Sequence, residues 1–286
     1  MVVLCSKEIK EKVMFIPFKI SETAINNACS GYDYDTSNVS DYLKSHINKD
    51  TIKQALIDGT KLQEEWFPSW SYDSRFQVFI SHAHKDEETV KKLAGFLKYK
   101  CGLNTFIDSL YWGYVGSLQK ELDEYYSKVY REGRYTYDYE TRNFVAANVH
   151  IMLSMALMKM MDACECLIFV DSDNSLKYAK GQTSTPSPWI YEEMGFSRML
   201  RVNIPERYKK LIRVNLNESR VTSEIRMMTD SAEPKQMKIQ YNVNLNEFKS
   251  LSSLDIKSIE NMNGTKALDH LYKKYGVVNV FKRLNG

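Results

Sequence analysis

Phe76-Gln77-Val78-Phe79-Ile80-Ser81-His82-Ala83-His84-Lys85-Asp86 is the stretch on which the fold turns. Phe76 to Ser81 is short, aromatic and β-branched, which suits a strand, and it stops at a polar cluster. Asp86 is placed to cap a helix, and Glu87 and Glu88 put negative charge in its first turn, where the helix dipole favours it. Val90, Leu93, Ala94 and Leu97 follow at i, i+3, i+4 and i+7, the stripe of a helix that buries one face. Gly102 supplies a C-terminal stop, and Leu103 to Ile107 is short and apolar enough for a second strand. Residues 76–107 therefore predict one strand–helix–strand unit of parallel type.

Working outward, Cys166-Leu167-Ile168-Phe169-Val170-Asp171 is an apolar run without alternation, the pattern of a strand covered on both faces. Ser187-Pro188 predicts a helix start, with Ser187 as cap and Pro188 in the first turn, and Trp189 to Leu200 as the helix. Further strands are expected at Lys210–Leu216 and Met237–Leu245, and a last helix at Thr265–Tyr275. Ser172 to Ser187 reads as a loop, and residues 217–236 as an irregular one. Alternation of strands and helices predicts an α/β fold, a flavodoxin-like parallel sheet with helices on both faces. Ligands of such sheets gather beyond the C-terminal strand ends, which brings Ser81–His84, Asp108–Gly113 and Ser172–Glu193 around one site.

Two regions depart from that repeat. Residues 1–72 read as a helical N-terminal extension, with loosely spaced apolar residues from Val39 to Leu62 and an aromatic group at Trp66, Phe67, Trp70 and Tyr72. The main domain is expected over 73–286, with a helical insertion at about 109–145. There Leu118, Leu122 and Tyr125 suggest a helix that Gly133 interrupts, and a Met-rich helix follows over Phe144 to Asp162.

The net charge of +3 is small for 286 residues and makes no case for a nucleic-acid protein, which would carry a clustered basic face, so no nucleic-acid partner is expected. No apolar run approaches the roughly 18 residues that span a bilayer, so no membrane association is expected. The start MVVLCSKEIKEKVMF has no basic-then-apolar leader, and an odd count of five cysteines with no paired spacing fits a reducing compartment, so the cytoplasm is the expected location. Cys164 and Cys166 read as small buried hydrophobes. There is no GxGxxG, Walker or GxSxG pattern, no two His share metal-ligand helical spacing, and His82 and His84 lack nearby Cys or acidic partners of the usual type, so neither a metal nor a resident cofactor is expected.

Three of these segments together resemble a known family. Val78-Phe79-Ile80-Ser81-His82 is similar to the opening strand of TIR (Toll/interleukin-1 receptor-like) domains. Gly102 to Asp108 resembles the family's second strand, and Ser187-Pro188-Trp189-Ile190-Tyr191-Glu192-Glu193 resembles its S-x-W-x-x-x-E segment. The likeness covers roughly 76–245 and not the N-terminal part. It implies the TIR fold, and an enzyme that cleaves NAD⁺ as substrate into nicotinamide and ADP-ribose or a cyclic isomer. Carried over by position, Glu193 is the catalytic carboxylate and Trp189, one turn earlier, faces the same pocket. Ser81, His82, Asp108 and Trp112 are the other candidate substrate contacts.

Each has a plainer alternative. Glu193 by position alone is a solvated helix acid, as Glu192 beside it is expected to be. His82 is equally a structural histidine, Asp108 a turn or cap, Trp189 a core residue, and Tyr111 and Trp112 loop anchors; His84 reads as a surface residue. The basic residues that active animal relatives carry after the first strand are replaced by Ala83 and His84, with Lys85 next in line for a phosphate. Likeness to bacterial TIR proteins, including those of Thoeris-type anti-phage systems, implies self-association and a nucleotide product that activates a separate effector. Two other readings stand beside it: a non-catalytic TIR assembly module, and a relative of nucleoside 2-deoxyribosyltransferases.

Overall fold

Val78–Ser81 is a strand, as its composition predicts, and is buried along its whole length. The computed structural model describes residues 16–35, 59, 76–179, 181–200, 206–209 and 239–276. In chain order the main elements are β1 (Ile16–Ser21), α1 (Glu22–Cys29), β2 (Val78–Ser81), α2 (Glu87–Cys101), β3 (Thr105–Ile107) and α3 (Ser109–Leu122). A hairpin of β4 (Lys128–Arg131) and β5 (Arg134–Tyr137) precedes α4 (Tyr139–Ala163) and β6 (Cys166–Asp171). Then come β7 (Lys177–Ala179), β8 (Gln182–Thr185), α5 (Pro188–Met199), α6 (Glu206–Lys209), β9 (Tyr241–Asn242), β10 (Lys249–Leu251), α7 (Ser253–Ser258) and α8 (Thr265–Lys274).

Five strands form one parallel sheet in the order β10-β1-β6-β2-β3, flanked by helices. Successive side chains on a strand face opposite ways. Val78, Ile80, Ile168, Val170, Phe18 and Ile20 therefore share a face, packed against α1, α2, α7 and α8. Phe79, Phe106, Leu167 and Phe169 point the other way, against α3, α4 and α5. Ser81 follows Phe79 on that second face, and this parity aims it at α5.

The largest departure from the sequence reading lies at the N-terminus. Residues 16–21 do not belong to an extension outside the domain: β1 lies inside the sheet, paired to β6 over its six residues and to β10 from Phe18 to Ile20. Pro17 pairs with Leu167 of β6 but lies outside the β10 register. The helical reading of Val39–Leu62 and the aromatic group 66–72 fall outside the described residues, apart from Gly59, which is helical. So does the strand expected at 210–216. Among the described residues of the strand expected at 237–245, Tyr241–Asn242 pairs antiparallel to β8. The expected loop 172–187 holds the β7–β8 hairpin, so that β7, β8 and β9 make a small second sheet.

The insertion is half helix and half hairpin. Gly133 interrupts the helical pattern because Glu132 and Gly133, both at positive φ (51° and 77°), form the two-residue turn of β4–β5. Two apolar positions of the preceding helix, Leu118 and Leu122, are buried. By length and composition alone α4, 25 residues long, qualifies as a membrane-crossing helix, which counting apolar runs did not anticipate. It packs on α3 and α5, and 44% of its apolar window is buried. Phe144, Ile151 and Met155 face outward along it.

Candidate active site

Three chain segments meet at the C-terminal ends of β2 and β3. Ser81 closes β2, and its Oγ donates to Oε2 of Glu193 at 2.5 Å. Glu193 stands in the second turn of α5, a helix that starts as predicted: Ser187 Oγ accepts from the Ile190 amide at 3.3 Å and Pro188 occupies the first turn. Asp108 follows β3, where its helical backbone (φ −59°, ψ −41°) begins α3 without a side-chain cap bond. Its carboxylate turns instead to His82, with Oδ1 2.8 Å from Nδ1, and lies within hydrogen-bonding reach of Glu193.

All four side chains are buried, Glu193 and Ser81 at 0% exposure and His82 and Asp108 at 3% each. The solvated-acid alternative for Glu193 is therefore excluded. Burial pushes the Glu193 carboxyl well above the ordinary carboxylate range; the Asp108 charge adds to this, and the Ser81 hydroxyl opposes it. Oε1 has no hydrogen-bond donor among the described residues, and the contact with Asp108 favours the protonated form. For His82, burial pulls the pKa down, but the charge and hydrogen bond of Asp108, the Ile80 carbonyl and Asp86 outweigh it and leave it raised. Its Nε2 is buried with no partner among the described residues. The arrangement thus brings two carboxyl groups, a hydroxyl and an imidazole together in one buried cluster.

Trp189 is half-buried on α5, its ring centroid 4.7 Å from that of His150 at 42°. Tyr111 and Trp112 lie within α3, not in a loop, and their side chains are outside the described residues. His84 and Lys85 are exposed, and His84 Nδ1 stands 3.9 Å from Glu87. Glu192, expected to be solvated, is half-buried, and its Oε2 has no partner among the described residues.

Asp86 is not the helix cap that its position suggested. It ends a short 3₁₀ turn, His84–Asp86, with no cap bond. Its carboxylate accepts from Ser172 Oγ at 2.5 Å and from Asn174 Nδ2 at 2.6 Å, and so ties the start of α2 to the loop after β6. Ser172 Oγ in turn accepts from the Asn174 and Ser175 amides at 3.1 Å. Sequence reasoning missed this clamp and His150. A serine-rich loop looks irregular until its hydroxyls meet a carboxylate, and His150 lies on a helix read only for its apolar pattern. The start of α3 is fastened similarly, Ser109 Oγ lying 3.3 Å from Glu87 Oε2.

Among the described residues no group of three or more His, Cys, Asp or Glu side chains could hold a metal ion. Cys164 and Cys166 are buried thiols. Compared with known proteins, the chain matches no protein-family model, no curated protein and no solved structure.

Proposed function

We propose that this chain is a TIR-type NAD⁺ nucleosidase with Glu193 as its catalytic carboxylate. One observation carries the reading: the segments that resemble the family in sequence converge on that carboxyl, with Ser81 Oγ 2.5 Å away and Asp108 beside it. A five-stranded parallel sheet flanked by helices is compatible with the fold this requires.

In the reaction the bond between ribose C1′ and the pyridinium nitrogen breaks, its electron pair goes to nitrogen, and neutral nicotinamide leaves. No proton is needed on the leaving group. The ribose becomes oxocarbenium-like, and an ionised Glu193 stabilises that charge and binds the ribose hydroxyls. Water then attacks C1′ and loses a proton to give ADP-ribose; attack by an adenine or ribose group of the same molecule gives a cyclic isomer. Substrate itself favours the ionised form of Glu193, because its pyridinium is a cation brought against the carboxylate. Ser81 holds the carboxylate in place, and Asp108 orients His82. We further propose that the nucleotide product acts on a separate effector, as in anti-phage signalling, within the cytoplasm.

A second reading is a non-catalytic TIR assembly module, favoured by complete burial of Glu193 and by the outward-facing Phe144, Ile151 and Met155. Purified wild type and Glu193→Gln, incubated with NAD⁺ and followed for nicotinamide by chromatography, separate the two. Release by wild type and none by the folded variant is expected; equal release overturns Glu193 as catalyst, and an inert wild type supports assembly.

A further inference from the structure

We infer that a second site, beside Lys19, binds phosphate groups. Lys19 is the middle of β1, and between Phe18 and Ile20, which enter the apolar layer on the α1/α2 side, it faces the opposite way. A half-buried lysine on a sheet interior normally pairs with a carboxylate. Among the described residues none pairs with Lys19; the side chain lines a cavity of about 370 Å³. The other polar walls are Gln182, Thr183, Asn242, Asn244 and Asn246, and the lining carries no acidic side chain.

The chemistry of that lining is selective. One ammonium and several amides and hydroxyls present many donors and one full positive charge, which suits an anion with several acceptor oxygens. Asn244 Oδ1 already accepts the Asn246 amide N–H at 2.9 Å, so its Nδ2 donors are left for a ligand. Tyr178, also on the rim, gives its hydroxyl proton to Asp171 at 2.6 Å. Arg198 Nη2 donates to the Asn244 carbonyl at 2.5 Å and holds the loop from α5. Carboxylate ligands could use the charge, but the number of donors and the size of the space favour phosphate or diphosphate.

The site also has a defined relation to Glu193. Lys19 and Ser81 are both in register with Phe169, so the three residues form one row on one face of the sheet. Two strand spacings separate Lys19 from Ser81, roughly 10 Å between Cα atoms. A dinucleotide carries its diphosphate one ribose beyond the bond that is cut, a comparable reach. Assigning the phosphates to NAD⁺ rests on the proposed function; the anion site does not.

The test is calorimetric titration of the full chain with inorganic pyrophosphate and, separately, ADP-ribose. Wild type is expected to bind at least one, Lys19→Gln about tenfold or more weakly, and Lys19→Arg to recover most of the affinity. Thermal melts of the three proteins establish that they are folded. No binding of either probe to wild type, unchanged affinity in Lys19→Gln, or equal loss in both Lys19 variants when they melt normally overturns the site. Repeating the pyrophosphate titration on Glu193→Gln with NAD⁺ present identifies the source: competition assigns the site to the dinucleotide, and its absence, with binding retained, assigns it to a separate phosphate ligand.

Discussion

Replacing Glu193 by Gln tests whether the buried carboxyl is stored at a cost to stability. The folded protein raises the Glu193 pKa well above the carboxylate value of 4.5, first through burial and then through Asp108. The sign follows directly. Between 4.5 and the folded pKa the native chain keeps a proton that the unfolded chain has lost, so this group's stabilisation is full below that window and lost as pH rises through it. For one proton the slope is about 1.4 kcal/mol per pH unit. The amide that Glu193→Gln introduces does not titrate; its oxygen accepts from Ser81 and its NH₂ donates to Asp108, as the protonated acid does. The variant should therefore match wild type near the acid end and gain on it with rising pH, by roughly 3–5 °C in Tm per pH unit for a domain of this size. Circular-dichroism melts of both proteins at steps from about pH 5 to pH 7 measure the difference. A gap that stays flat across those steps, or a variant that melts lower at the neutral end, would refute the assignment of a protonated, buried Glu193.

Two further outcomes follow from packing and charge. Gly95→Ala should destabilise the protein by about 1–3 kcal/mol although it sits mid-helix, where Ala is ordinarily better by about 0.5–1 kcal/mol. The added Cβ would lie 2.7 Å from the carbonyl carbon and oxygen of Asp33 and 2.9 Å from its nitrogen, and a urea midpoint that rises would contradict this contact. For Asp255, burial alone would raise the pKa, but the Lys274 ammonium and the Ser252 capping bonds win and hold it at about 2, below the usual 3.8. That stabilisation is present above 3.8 and lost as pH falls towards about 2. Asp255→Asn should cost on the order of 1–2 kcal/mol at neutral pH, screening at the half-exposed Lys274 allowed for, and almost nothing in strong acid; equal losses at both ends would count against the pairing.

What was legible in the chain was local. The strands β2, β3 and β6 carry their burial in composition, α2 and α5 carry theirs in periodicity, and Gly102 and Ser187 end and begin helices as their side chains dictate. Strand β1 was hidden because Pro17 and Lys19 break its apolar run, and because its partner β6 lies far along the chain; β10 offers only Lys249, Ser250 and Leu251. Nothing in a local window signals that such a segment completes a sheet. At the site the same division holds. Ser81, Asp108 and Glu193 could be named from motif and position, whereas the turn of Asp108 towards His82 depends on how the chain leaves β2 and β3. Asp86 was misassigned because a good cap residue is also a good acceptor for Ser172 and Asn174, and only the tertiary fold decides between them.

On the proposed reading, the burial that raises the Glu193 pKa also keeps substrate from it. Asp108 contributes to both, since it directly precedes α3 and lies beside Glu193. A displacement of the α3 start that admitted a ribose would carry Asp108 away from Glu193 and let in water. Both changes remove causes of the raised pKa, so opening the site and ionising its carboxylate are one event in energetic terms. The resting chain would then hold its acid neutral and shielded, with Ser109 on Glu87 fastening the closed form. Ligand binding that favours the open form must supply the difference, and the cation of the substrate does so most directly, by meeting the carboxylate that its own arrival uncovers.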